Sequence, residues 1–196
     1  MGSEMCIRDR GKNVGGEIEL IVEDKDGRVV EHVRKPMDSF VKNVNFLLNI
    51  YDKNAWIVTD MSGAEAHVDP MTASVLAPAG EDNYGILVGT GSTPFDVTQY
   101  SLTSKISHGA GSGQLSYGEQ STVMGTETYE QWQRSFDNNS GADITVYEIG
   151  MACKTTKLAD GTSETHYILL ARDVITPVTV PNGGRLTVKY KFQINP

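Results

Sequence analysis

The chain has 196 residues, 39% of them hydrophobic and 21% charged, enough for one large domain with its own core. A net charge of −8 leaves no broad cationic footprint for nucleic acid, and no uninterrupted apolar run approaches membrane length. Twenty glycines fit a protein with many tight turns.

The first residues, Met1 to Arg10, lack the apolar stretch of a secretory signal and read as sequence foreign to the fold. Residues 1–14 are accordingly expected to be a non-native or flexible amino-terminal arm, and residues 15–196 a single domain. With Cys6 set aside, Cys153 is the only remaining cysteine, so no intrachain disulfide is expected and packing must hold the fold. Flanked by Met151 and Ala152, Cys153 reads as a small core residue.

Glu17 to Glu23 alternates, with Ile18, Leu20 and Val22 on one face. Asp26-Gly27 follows, then a second alternating run to Arg34, which together predict a hairpin. Asp24 and Asp26 do not continue into a calcium loop, because Val29, Val30 and His32 stand where further oxygen ligands would be needed. Residues 38–52 place Phe40, Val41, Val44, Leu47, Leu48 and Tyr51 at helical spacing after Pro36, which predicts one early inserted helix. Ala55 to Asp60 reads as a strand. Met61 to Ala79, interrupted by Pro70 and Pro78, reads as an irregular segment suited to an exposed arm or subunit contact.

Tyr84 to Gly89 is a short apolar strand running into Gly89-Thr-Gly91. Pro94 and Phe95 follow in place of a third glycine and a helix, so this is a turn and not a dinucleotide site. Two more strands are expected before residue 124. Tyr129 to Phe136 puts Trp132, Arg134 and Phe136 on one face, and Asp137 to Gly141 is turn chemistry, its Asn138-Asn-Ser140 sequon included. Asp143–Lys154 and Thr165–Asp173 are expected to pair around the Ala159-Asp-Gly turn. The last strand sets Leu186, Val188, Tyr190, Phe192 and Ile194 on a single face. Many short strands with one helix predict a mainly β, antiparallel β-sandwich of jelly-roll type.

Asp60 with Glu65, His67 and Asp69, the last three on one strand face, could hold a divalent ion, but His32, His108 and His166 lie far away in sequence, so the group reads as a solvated polar face. No Gly-x-Ser-x-Gly elbow occurs. No catalytic, cofactor-binding or metal residues are assigned, and no cofactor is expected. Arg134 and Arg172 are expected to form solvated pairs with Asp137, Asp143 or Asp173. Trp56, Trp132, Tyr100, Tyr117 and Tyr129 leave open a sugar-binding role, although Trp132 beside Phe136 reads as core.

Several blocks, in order from Gly15 onward, resemble a family of small phage virion proteins. They are the amino-terminal hairpin with Asp38-Ser-Phe-Val-Lys-Asn, Val58-Thr-Asp-Met-Ser-Gly, Tyr84 to Pro94, and Ser107 to Gly118. Further blocks are Arg134 to Ala142, Tyr147-Glu-Ile-Gly, and Leu170 to Pro181. The resemblance implies a non-enzymatic tail or capsid component, folded in the host cytoplasm and resident in the virion. Its implied partners are further copies of itself and other virion proteins, with neither nucleic acid nor membrane bound directly. The alternative is a module of a tail fibre that binds a host receptor or cell-surface glycan.

Overall fold

In the computed structural model, residues 13–37, 39–48, 57–124, 129–156 and 164–195 are described. The amino-terminal hairpin forms as the alternation and the Asp-Gly turn dictate. Strand β1 (Asn13–Glu23) pairs antiparallel with β2 (Val29–Pro36), and Ile18, Leu20 and Val22 are fully buried. Asp24 Oδ1 accepts the Asp26 and Arg28 amides at 2.8 and 3.0 Å, so this carboxylate closes the turn.

Next come β3 (Ile57–Thr59) and β4 (Glu65–His67), which form a two-stranded ribbon, and then β5 (Gly85–Gly89). The second half supplies β6 (Ser116–Tyr117), β7 (Ser121–Met124), β8 (Tyr129–Asp137), β9 (Ile144–Thr156), β10 (Thr165–Val180) and β11 (Arg185–Asn195). One sheet runs β2-β1-β11-β8-β6, with β7 also on β8, and a second runs β10-β9-β5. All strand pairings are antiparallel. Among the described residues the sheets hold six and three strands, where a regular jelly roll has four and four.

Apolar residues of both sheets join one core: Leu20, Val188 and Phe136 from the first meet a cluster with Val88, Ile149 and Ile168 from the second. The smaller sheet is covered on both faces. Its strands therefore carry consecutive buried positions instead of an alternation, as in Gly85–Gly89 and Met151–Cys153. Leu102 lies against β9 so closely that a Cβ at Gly150 would sit 3.0 Å from its Cδ2. Cys153 is buried as expected, and burial pushes its thiol up to about 12.

The expected helix is shorter and starts later. Phe40 instead forms a β-bridge with Ala171, the Val41 amide donates to Leu170 O, and the Arg172 amide donates to Ser39 O. The free edge of β10 thus captures residues 39–41 as extended chain, and sheet pairing overrides the helical spacing there. A 3-10 turn at Lys42–Val44 leads into α1 (Asn45–Leu48), and the rest of the expected span lies outside the described residues.

The Met61 to Ala79 segment is not a projecting arm. It contains β4, a 3-10 turn at Pro70–Thr72 capped by Asp69, and a bridge from Ser74 to Lys154 on β9. Ala66, Val68, Pro70 and Ala77 are buried, while Met71 and Leu76 remain exposed.

On the outer face of the larger sheet, Glu19 collects cations from both neighbouring strands. His32 Nε2 and Arg34 Nη2 lie 2.7 Å away and Lys189 Nζ 2.8 Å away. Partial burial works against ionisation, but the bonds from Lys189, Arg34 and His32 outweigh it and hold the Glu19 carboxyl down at about 2. A carboxyl depressed in the folded state adds stability above its unfolded value near 4.5 and loses it as pH falls toward 2. Glu19→Gln is expected to cost about 1–2 kcal/mol at pH 7, after allowing for screening of the exposed Arg34 and His32. That deficit should shrink steadily between pH 4.5 and 2 in urea unfolding curves; a deficit constant across that window would refute the assignment.

Candidate functional site

Three buried polar arrangements stand out, and sequence reasoning placed none of them correctly. The first is Glu148 with Arg172. Both side chains are fully buried, and Arg172 Nε donates to Glu148 Oε2 at 2.6 Å. The remaining guanidinium nitrogens reach Gln99 Oε1 at 3.1 Å and Thr93 O at 3.0 Å. Glu148 also accepts the amides of Gly91, Thr103 and Ser104, at 3.2, 3.1 and 2.7 Å. This pair therefore holds residues 91–104 against β9 and β10. Gly89 and Gly91 are needed for proximity: a Cβ on either would lie within 2.6 Å of Glu148 Oε1.

The second is Arg134, buried at 1% exposure, whose hydrogen bonds among the described residues all go to main-chain oxygens. Its nitrogens donate to five main-chain carbonyls, those of Pro78, Glu81, Tyr84, Ile86 and Gly118. The guanidinium lies over the Tyr117 ring at 4.8 Å. Burial lowers its pKa below the ordinary arginine value. Thus Arg134 and Arg172 do not form the expected solvated pairs. Asp137 pairs with Arg185, Asp173 with Lys35, and Asp143 accepts the Asn182 amide. Period-2 alternation had already set Arg134 between Trp132 and Phe136. What the alternation lacked was any sign that loop carbonyls would meet it there.

The third is Asp60 with His166, joined by Oδ2 to Nδ1 at 3.0 Å. Asp60 Oδ1 accepts from the Ser62 amide, the Ser62 hydroxyl and the Ala64 amide, at 2.9, 2.6 and 3.1 Å. Burial opposes its ionisation, yet the bonds from Ser62, His166 and Ala64 keep its pKa below the ordinary aspartate value. A turn carboxylate on β3's exit thereby fixes a histidine on the distant β10. Their side chains line a cavity of about 260 Å³ that also touches Glu164 and Tyr167.

Of the residues weighed from sequence, Glu65 and His67 do share one exposed face of β4, while Asp69 turns away to cap Met71. Among the described residues, no three His, Cys, Asp or Glu side chains are already gathered as a metal centre. Trp132 packs edge-on against Phe192 at 5.1 Å, Tyr117 is buried, and Tyr100 is exposed. Trp56 and the side chain of Tyr129 lie outside the described residues. Asn138 is fully buried and its Nδ2 donates to Ala142 O and Val180 O, so the sequon is a lock on the turn. No helix of the described residues is long and apolar enough to cross a membrane. No family model, curated protein or solved structure matches the chain.

Proposed function

We propose that the chain is a non-enzymatic structural protein of a bacteriophage particle, a tail or capsid component that associates with copies of itself or with other virion proteins. One observation carries the reading. The blocks that resemble virion proteins coincide with the buried polar locks. Tyr84 to Pro94 holds Gly89, Gly91 and the Thr93 carbonyl; Arg134 to Ala142 holds Arg134 and Asn138; Tyr147-Glu-Ile-Gly holds Glu148; Leu170 to Pro181 holds Arg172. The likeness therefore falls on residues that fix loops to a rigid frame. A shared frame is what a family of building blocks has in common, whatever its members touch.

Association also has a surface to use. Met71 and Leu76 are exposed on the segment that sequence reading assigned to a neighbour, and Phe40 and Leu48 are exposed beside α1. The glycan-binding alternative has less to stand on, since Trp132 is engaged with Phe192 and Tyr117 is buried.

The test is the mass of the purified full chain by light scattering on a sizing column, followed by electron microscopy of the peak. Discrete rings, trimers or filaments are the expected result. A strict monomer that binds a cell-surface glycan would overturn the building-block role in favour of the receptor module.

A further inference from the structure

A sheet border exposes a row of main-chain donors and acceptors, and this chain covers several of its borders with short bridges of its own. Residues 39–41 cover the middle of β10 through the Phe40–Ala171 bridge and the Val41 and Arg172 amides. On β5, Lys105 bridges Gly89 and the Ile106 amide donates to Val88 O. On β6, the Gly80 amide donates to Tyr117 O. Strand β2, at the opposite end of the larger sheet, has no such cover among the described residues. It is eight residues long and pairs with β1 on one side only.

The phase of the β1–β2 ladder decides which groups this border offers. The Met37 amide donates to Gly16 O at 2.8 Å, and antiparallel bonding repeats at every second residue. Lys35, Val33 and Glu31, opposite Ile18, Leu20 and Val22, therefore turn their main-chain groups toward β1. His32 and Arg34 turn theirs outward. Their side chains do not screen the border, because both fold back onto Glu19 of β1 at 2.7 Å. The main chain between Glu31 and Lys35 is thus open to another strand.

A second copy of the same strand fits it. Around a two-fold axis through Val33, His32 of each copy lies opposite Arg34 of the other, and these residues exchange amide and carbonyl bonds. Glu31 of each copy then faces Lys35 of the other, so opposite charges meet on both sides of the axis. Lys35 keeps its bond to Asp173 at 3.0 Å; the match is one of charge and takes nothing from that bond. At the axis Val33 meets its own copy, and it already packs against the core. An axis through Arg34 instead sets that cation against itself, and an axis through His32 loses the match of Glu31 with Lys35.

We propose that β2 is a self-association edge: two copies pair their β2 strands antiparallel, centred on Val33, and join two six-stranded sheets into one. The inference rests on the self-association reading above and names the surface that association uses. The contact is isologous and closes at two chains, so rings or filaments would be built from such dimers.

The test is main-chain hydrogen exchange of the full chain at residue resolution, read beside light-scattering mass across a dilution series. Where the mass is that of a dimer or a multiple of it, the His32 and Arg34 amides should be protected. On dilution to the monomer they should exchange about tenfold faster or more. The Glu31, Val33 and Lys35 amides, bonded to β1, should stay slow in both states. His32→Pro removes an outward amide without breaking the β1 ladder and should weaken dimerisation about tenfold or more. His32→Ala keeps that amide, and its effect should be the clearly smaller one. Mild oxidation of Val33→Cys should link two chains through the thiols at the axis. An assembled chain whose His32 and Arg34 amides still exchange freely would overturn this edge and spare the building-block role. A chain that stays monomeric at every concentration would overturn it as well, leaving that role to contacts with other virion proteins. So would dimerisation that His32→Ala weakens as much as His32→Pro.

Discussion

Arg172→Met is expected to lower the unfolding free energy by about 3–5 kcal/mol, because it strands Glu148 as a buried charge. Methionine fills much of the stem's volume but returns none of the three hydrogen bonds to Glu148, Gln99 and Thr93. For a chain of this length the melting temperature should fall by roughly 10 °C or more. Replacing both partners with apolar residues would not restore stability as it does for an isolated buried pair. Glu148 also satisfies the amides of Gly91, Thr103 and Ser104, and an apolar residue would leave all three unmet. Glu148→Leu/Arg172→Met is therefore expected to be no more stable than Arg172→Met alone. Urea unfolding of the two variants decides the matter. Recovery in the double variant would mean that the loop does not depend on Glu148.

The second large effect is expected at Arg134. Here no opposite charge is stranded; five carbonyls lose their donors at once. Each buried acceptor left unsatisfied costs about 1–3 kcal/mol, and the whole fold is stabilised by only about 5–15 kcal/mol. Arg134→Met should therefore yield a chain that is largely unfolded or molten at 25 °C, with loss of near-ultraviolet dichroism. Arg134→Lys keeps the charge yet supplies three donors from a single point, so it reaches only part of the carbonyl set. It should fold, with a urea midpoint clearly below that of the parent. A Lys variant as stable as the parent would show that charge, and not the planar fork, secures the loop.

How much of this was legible follows from where each signal resides. Ile18, Leu20 and Val22 against Asp26-Gly27 gave a hairpin because face and turn are both local. The β9–β10 pairing and the inward face of β11 were readable for the same reason. Residues 39–41 were misassigned because helical spacing is also local, whereas the β10 edge that captures Phe40 lies more than 100 residues away. Sequence cannot tell a charged residue facing solvent from one facing a folded-back loop. Glu148 shares its face with Ile144 and Val146, and Arg134 lies between Trp132 and Phe136, so the pattern pointed both inward. Charge alone then argued the other way. Asp60 was weighed only beside Glu65, His67 and Asp69; its pairing with His166 was not readable, since 106 positions separate the two.

The pairing of β1 with β11 sets a timetable for synthesis. Val22 lies opposite Leu186 and Glu23 opposite Arg185, so the first strand acquires its inner neighbour only after about 160 further residues have emerged. At about 5–20 residues per second this interval is roughly ten to thirty seconds. During it, the amino-terminal hairpin can form but has nothing to cover Ile18, Leu20 and Val22. One side of the nascent hairpin is then a sticky apolar ribbon with an unpaired edge, the kind of surface that recruits chaperones or neighbouring nascent chains. Where many ribosomes make this protein side by side, its yield depends on how that half-minute is protected.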